Sequence, residues 1–157
     1  MTQRDLNSIA QKLGDFMTTH PGCSQAARNL GKKVEIGILI DNELSCAFFK
    51  TNEGGAGFEV RAANNPDIIF RLSSNAVQVL CSQEQKNLGE LGVEVLKLYV
   101  KQEVGIQVLG SFLGIMKNGY LGIIKDAGMP FAKFLAEHGV SNLSKIPEII
   151  KKLKNHR

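Results

Sequence analysis

At Val34 the chain changes its hydrophobic period, and that change constrains the fold more than any other feature of the sequence. Before it, Leu6, Ile9, Ala10, Leu13, Phe16 and Met17 recur at helical spacing, which predicts an amphipathic helix over Asp5 to Met17. The turn His20-Pro21-Gly22 closes it, and Ser24 to Leu30 adds a short second helix ending at Gly31. From Val34 onward the period is two. Val34, Ile36, Ile38 and Ile40 share one face, Leu44, Cys46 and Phe48 continue after the turn pair Asp41-Asn42, and Phe58, Val60 and Ala62 follow the reversal at Gly54 to Gly57. Three alternating strands joined by short turns form an antiparallel meander.

After the break at Asn64-Asn65-Pro66, a fourth strand is expected over Asp67 to Leu72, with Ile68, Phe70 and Leu72 inward. Ser73 or Ser74 caps a helix carrying Ala76, Val77, Val79 and Leu80, and the polar stretch from Cys81 to Leu88 reads as a loop. Helical periodicity resumes from Glu90 to Lys101. There only Glu94, Lys97 and Lys101 form a charged stripe, so such a helix should be covered on more than one side. Val104, Ile106 and Val108 make a fifth strand, followed by glycine-punctuated helical pieces at Ser111 to Lys117, Tyr120 to Asp126 and Pro130 to His138, and a last amphipathic segment from Ile146 to Leu153. The expected class is α+β, a single five-stranded, mainly antiparallel sheet with helices packed on one face. No repeat, low-complexity tract or linker divides the 157 residues, which read as one domain.

Composition narrows the function. Apolar residues make up 43 % and charged residues 22 %, an ordinary globular balance, and with no Trp and two Tyr the core volume falls to aliphatic residues and eight Phe. Cys23, Cys46 and Cys81 are widely spaced and form no metal-ligand pattern with His20, His138 or His156. They read as reduced thiols of a cytoplasmic protein. The longest uncharged apolar stretch, Val104 to Met116, is 13 residues and holds three glycines, whereas a membrane span needs about 20. The first residues, Met1-Thr2-Gln3-Arg4-Asp5, lack the apolar core of a signal peptide. Part of the net charge of +4 sits in Lys145, Lys151, Lys152, Lys154 and Arg157, and a second basic cluster is Arg28, Lys32 and Lys33. No aromatics interleave with these, as stacking on single strands would require, so nucleic acid is not an expected partner. The basic C-terminal helix could make weak contact with an acidic membrane surface.

Catalytic signals are sparse, and no cofactor or metal is expected. Gly54-Gly55-Ala56-Gly57 stands between two strands and serves a hairpin rather than a phosphate loop. Gly110-Ser111-Phe112-Leu113-Gly114 lies where a strand enters a helix, but its spacing is not that of a nucleophile elbow, and no acid or His is near Ser111 in sequence. What stands out is apolar. Glu90 to Phe134 carries more aliphatic and aromatic surface than one packed layer obviously needs, cut by Gly105, Gly110, Gly114, Gly119, Gly122 and Gly128.

Two segments carry a family resemblance: Pro66-Asp67-Ile68-Ile69-Phe70-Arg71-Leu72-Ser73 before a helix, and Val104-Gly105-Ile106-Gln107-Val108-Leu109-Gly110-Ser111 after an apolar one. Together with the element order, they resemble the type-2 sterol carrier protein family. The resemblance covers about residues 34–116, with helical flanks at 1–33 and 117–157 matching in position only. Ser111 departs from the pattern, where an acidic residue or Asn is usual, and the chain does not end in a peroxisomal signal.

The resemblance implies a non-enzymatic protein that binds or carries a hydrophobic lipid, sterol-like, acyl or prenyl, between sheet and helices. Phe70, Leu72, Val95, Leu98, Tyr99, Ile106, Val108, Phe112, Met116, Phe131 and Phe134 would line the site. Burying about ten methylenes yields on the order of 8 kcal/mol, and association costs leave micromolar affinity or weaker. Two other classes stay open: an interaction or accessory module for a lipid or quinone biosynthetic enzyme, with a protein partner, and a small enzyme built on Ser111 or the carboxylates Glu90 and Glu94.

Overall fold

The computed structural model describes residues 2–82, 87–120, 122–123 and 125–126. Helix α1 (Gln3–Thr19) begins two residues before the expected start at Asp5 because Thr2 and Asp5 form a reciprocal capping box. The Asp5 amide donates to Thr2 Oγ1 at 3.2 Å, and the Thr2 amide donates to the Asp5 carboxylate at 3.3 Å. His20 then ends α1 and caps α2 (Pro21–Asn29), so two helices meet at one residue where sequence alone showed a turn. Its Nδ1 accepts from the Gly22 amide at 3.0 Å, and Pro21 takes the first helical position, where a missing N–H costs nothing. His20 is buried, and burial lowers its pKa.

The strands are β1 (Glu35–Ile40), β2 (Leu44–Lys50), β3 (Ala56–Glu59), β4 (Ile68–Leu72) and β5 (Val104–Val108), in the spatial order β3-β2-β1-β4-β5. Only β1 with β4 is parallel, and the crossover between them starts at the β3 edge. The α+β class with a mainly antiparallel five-stranded sheet is therefore observed. Asp41 and Asn42 turn β1 into β2 with φ of 50° and 58°, a region these short polar side chains tolerate.

β3 is shorter than alternation predicts: it stops at Glu59, and Val60 is exposed. Arg61 is the reason. It turns back on the Glu59 carbonyl and places its guanidinium on the Glu35 and Glu59 carboxylates, pulling the chain off the ladder.

Helices α1 and α2 pack on β2 and β3, α3 (Ser74–Ser82) on β4, and α4 (Leu88–Val100) on β5, all over one face of the sheet. The core lies between them, with Leu6, Leu13 and Leu30 from the helices against Ile36, Ile38, Ile40, Cys46 and Phe48. On the opposite face, large side chains lie over glycines of the neighbouring strand. The Phe49 ring covers Gly57, where a Cβ would stand 2.4 Å from it, and Ile69 covers Gly37.

Ser73 caps α3, accepting from the Ala76 amide at 2.9 Å. The stretch read as a loop is partly helical, since α3 runs to Ser82 and α4 starts at Leu88 under an Asn87 cap. α4 also departs from expectation in its covering. Only Leu88, Gly89 and Leu98 are buried, while Val100 is 61 % exposed. After β5, Ser111 caps α5 (Phe112–Lys117), accepting from the Gly114 amide at 3.0 Å. The segments Pro130 to His138 and Ile146 to Leu153 lie outside the described residues. Among the described residues no helix is long and apolar enough to cross a membrane.

Candidate functional site: the inner face of the last two strands

The inner face of β4 and β5 is built by alternation and register. Ile68 pairs with Val108, Phe70 with Ile106, and Leu72 with Val104, so three apolar pairs stack along the face that the helices cover. The pairs are not equally sealed. Val104, Val108 and Leu72 are buried, whereas Ile68 and both members of the Phe70–Ile106 pair are half-buried. The β1–β2 half of the same face differs, with Ile36, Ile38, Ile40, Cys46 and Phe48 all buried. Leu91 and Val95 of α4, the helix over β5, are also half-buried against the core. The sheet thus has one closed half and one apolar strip that the described helices do not close.

Of the residues proposed from sequence, Phe70, Val95 and Ile106 belong to this strip, while Leu72, Leu98 and Val108 are buried in the continuous core. Tyr99 departs from its inward placement. It is 36 % exposed and lines a different cavity. Phe112 and Met116 stand on α5, directly after β5. Phe131 and Phe134 lie outside the described residues, as does the segment expected to form the basic C-terminal helix.

The cavity that Tyr99 lines is an open cleft of about 700 Å³ where β4 ends and β5 begins, walled by Asp41, Arg71, Leu72, Gln102, Glu103 and Val104 among others. Its carboxylates are committed to structure. The Ser73 hydroxyl donates to Glu103, and Asp41 accepts from the Ser74 hydroxyl and, at 2.9 Å, from the Ser74 amide. Both acids thereby hold the N-terminus of α3, where negative charge complements the helix dipole.

Groups that could do covalent chemistry are similarly occupied or suppressed. Burial pushes the Cys23 thiol up to about 12 and the Cys46 thiol to about 11, so neither offers a thiolate near neutral pH. Burial raises Cys81 as well. Folding does bring an acid near the Ser111 helix: a Cβ on Gly114 would stand 3.2 Å from Ser111 Oγ and 3.8 Å from Asp67 Oδ1. The hydroxyl, however, faces the Gly114 amide as a cap. Among the described residues no three His, Cys, Asp or Glu gather as a metal site.

One polar cluster was invisible in the sequence. The Asp67 carboxylate sits over Gly110, where a Cβ would stand 2.2 Å from it, and accepts from Asn118 Nδ2 at 2.6 Å. Tyr120 is buried close by, and its hydroxyl has no hydrogen-bond partner among the described residues. Alternation places Asp67 outward with Ile69 and Arg71, and nothing in the sequence signals a partner 51 positions away.

No family model matches this chain, and no curated protein does. Among solved structures, the chain is similar to the UbiJ-SCP2 ubiquinone synthesis protein, with a TM-score of 0.42 and 15 % identity over 80 % of this chain and 99 % of that one. It is also similar to part of the stereoselective inverting sec-alkylsulfatase Pisa1 from Pseudomonas sp., with a TM-score of 0.34 and 16 % identity. That match covers 57 % of this chain and 14 % of the sulfatase.

Proposed function

We propose that this protein binds a hydrophobic lipid chain, non-catalytically, along the inner face of β4 and β5 beneath the helical layer. The observation that carries the reading is the half-buried Phe70–Ile106 pair, set on a face whose other half is closed. Two large apolar side chains left partly open beside a well-packed core would gain from further burial, at about 25 cal/mol per Å² of apolar area removed from water. An acyl, prenyl or sterol-like chain supplies such area without asking for polar partners.

The test pairs ligand capture with mutation. Lipid extracted from the purified protein should be identifiable by mass spectrometry, and a fluorescent acyl or sterol probe should bind saturably to the stripped protein. Phe70→Asp should abolish probe binding while the protein stays folded, because the position is half-exposed. Val108→Asp should instead unfold it, since Val108 is 1 % exposed and an unpaired charge there costs several kcal/mol. Absence of saturable binding to stripped wild-type protein would sink the proposal.

A second reading rests on a separate observation. Val100, Leu109 and Leu113 are exposed, Leu113 at 72 %. Exposed apolar side chains fit an accessory role in contact with a protein partner, such as a lipid or quinone biosynthetic enzyme. Cross-linking from Leu113→Cys in cells would separate this role from free lipid carriage.

A further inference from the structure

Tyr120 is 7 % exposed, and among the described residues its hydroxyl is the one buried side-chain polar atom without a hydrogen-bond partner. Buried polar groups in native proteins are nearly always paired, so an orphan points to a partner of another kind. A phenol can donate one hydrogen bond and accept others. The ring packs in the same hydrophobic cluster as Val108 and Ile115, and Ile68, Phe70 and Ile106 pack against that cluster. The hydroxyl is therefore an unpaired polar point in the apolar core against which the residues of the open strip pack.

Its electrostatic setting is equally defined. Asn118, two residues earlier, is fastened to the Asp67 carboxylate at 2.6 Å, and Asp67 directly precedes Ile68. Burial and the Asp67 charge both push the Tyr120 phenol up, so it remains a protonated donor across the physiological range. The same negative charge opposes a second anion at this place.

Resting on the lipid reading, we propose that the Tyr120 hydroxyl anchors the head of the bound lipid, and that Asp67 beside it selects an uncharged head bearing a hydroxyl or carbonyl over a carboxylate. The ligand class is then a neutral lipid, a long-chain alcohol, ester or sterol-like alcohol, rather than a fatty-acid anion.

Displacement of a pyrenyl alkane from the purified full chain tests this, with dodecane, dodecanol, methyl dodecanoate and dodecanoate as competitors. Dodecanol and the ester should outcompete dodecane and dodecanoate by about fivefold to tenfold, as one hydrogen bond allows. In Tyr120→Phe that advantage over dodecane should vanish while the pyrenyl alkane still binds. Asp67→Asn, which keeps an amide opposite Asn118, should raise the affinity for dodecanoate selectively. It also decides the matter should Tyr120→Phe not fold.

Equal binding of all four competitors to wild type, or an undiminished dodecanol advantage in Tyr120→Phe, would overturn the head-group assignment alone. Failure of wild type to bind the pyrenyl alkane at all would overturn the lipid reading beneath it.

Discussion

Arg61 grips Glu35 at both carboxylate oxygens, Nη1 on Oε1 and Nη2 on Oε2, each at 2.7 Å, joining the segment after β3 to the start of β1 across the outer face of the sheet. The same guanidinium lies 5.6 Å above the centre of the Phe49 ring, and the Asn64 amide adds a bond of 2.7 Å to Glu35. A planar fork matched to a carboxylate is what arginine offers and lysine does not.

The Arg61 hydrogen bonds hold the Glu35 carboxyl below its usual range. A depressed folded-state value stabilises the protein fully above the ordinary glutamate pKa, about 4.3, and that contribution is lost as pH falls through the lowered value. Arg61→Ala should therefore reduce the urea midpoint at neutral pH, and the gap to wild type should close in acid. The effect should be modest and should shrink with added salt, because the pair is partly exposed. Urea titrations of both proteins across the acid range check this.

Gly119 has φ of +95°, and a Cβ there would stand 1.8 Å from the Asn29 carbonyl oxygen. Gly119→Ala should destabilise by about 1–3 kcal/mol from backbone conformation alone, and by more from the clash. Gly54 has a similar φ of +89° but nothing within 4 Å, so Gly54→Ala should show the conformational part only. Chemical denaturation of the pair separates the two contributions.

Gln102 occupies the left-handed position after α4, with φ of 64°. Its amide bonds the Tyr99 carbonyl at 3.0 Å and the Glu103 amide bonds Leu98 at 2.9 Å, the two bonds of a Schellman cap. Glycine is the usual residue there, so Gln102→Gly should stabilise by roughly 0.5–1 kcal/mol in thermal melts. A loss of stability instead would assign the Gln102 side chain a role in the cleft it lines.

Ser111→Ala removes the cap of a short helix and should cost about 1 kcal/mol. Lipid-probe affinity should stay within about threefold of wild type, a difference of well under 1 kcal/mol. Disappearance of a hydrolytic or transfer activity in this variant would favour the enzyme reading.

Local pattern was enough to place nearly all of the described elements. Alternation is a property of consecutive residues, so Ile36, Ile38 and Ile40, then Ile68, Phe70 and Leu72, then Val104, Ile106 and Val108 announce both the strands and their inward faces. Caps are equally local, and Ser73 and Ser111 are legible for that reason. The limits of β3 were not, because Arg61 leaves the ladder for Glu35, 26 positions away.

Burial along the inner face was likewise decided only in three dimensions. Val108 and Ile106 look alike in the sequence, yet one is sealed and the other half-open, because that depends on which helix lies over each. Tyr99 and Tyr120 show the same division. The first is expected inward and is exposed, while the second, expected only as the start of a helical piece, carries the orphan hydroxyl near Asp67. Periodicity tells which side of an element is apolar, but packing between distant segments determines what that side meets.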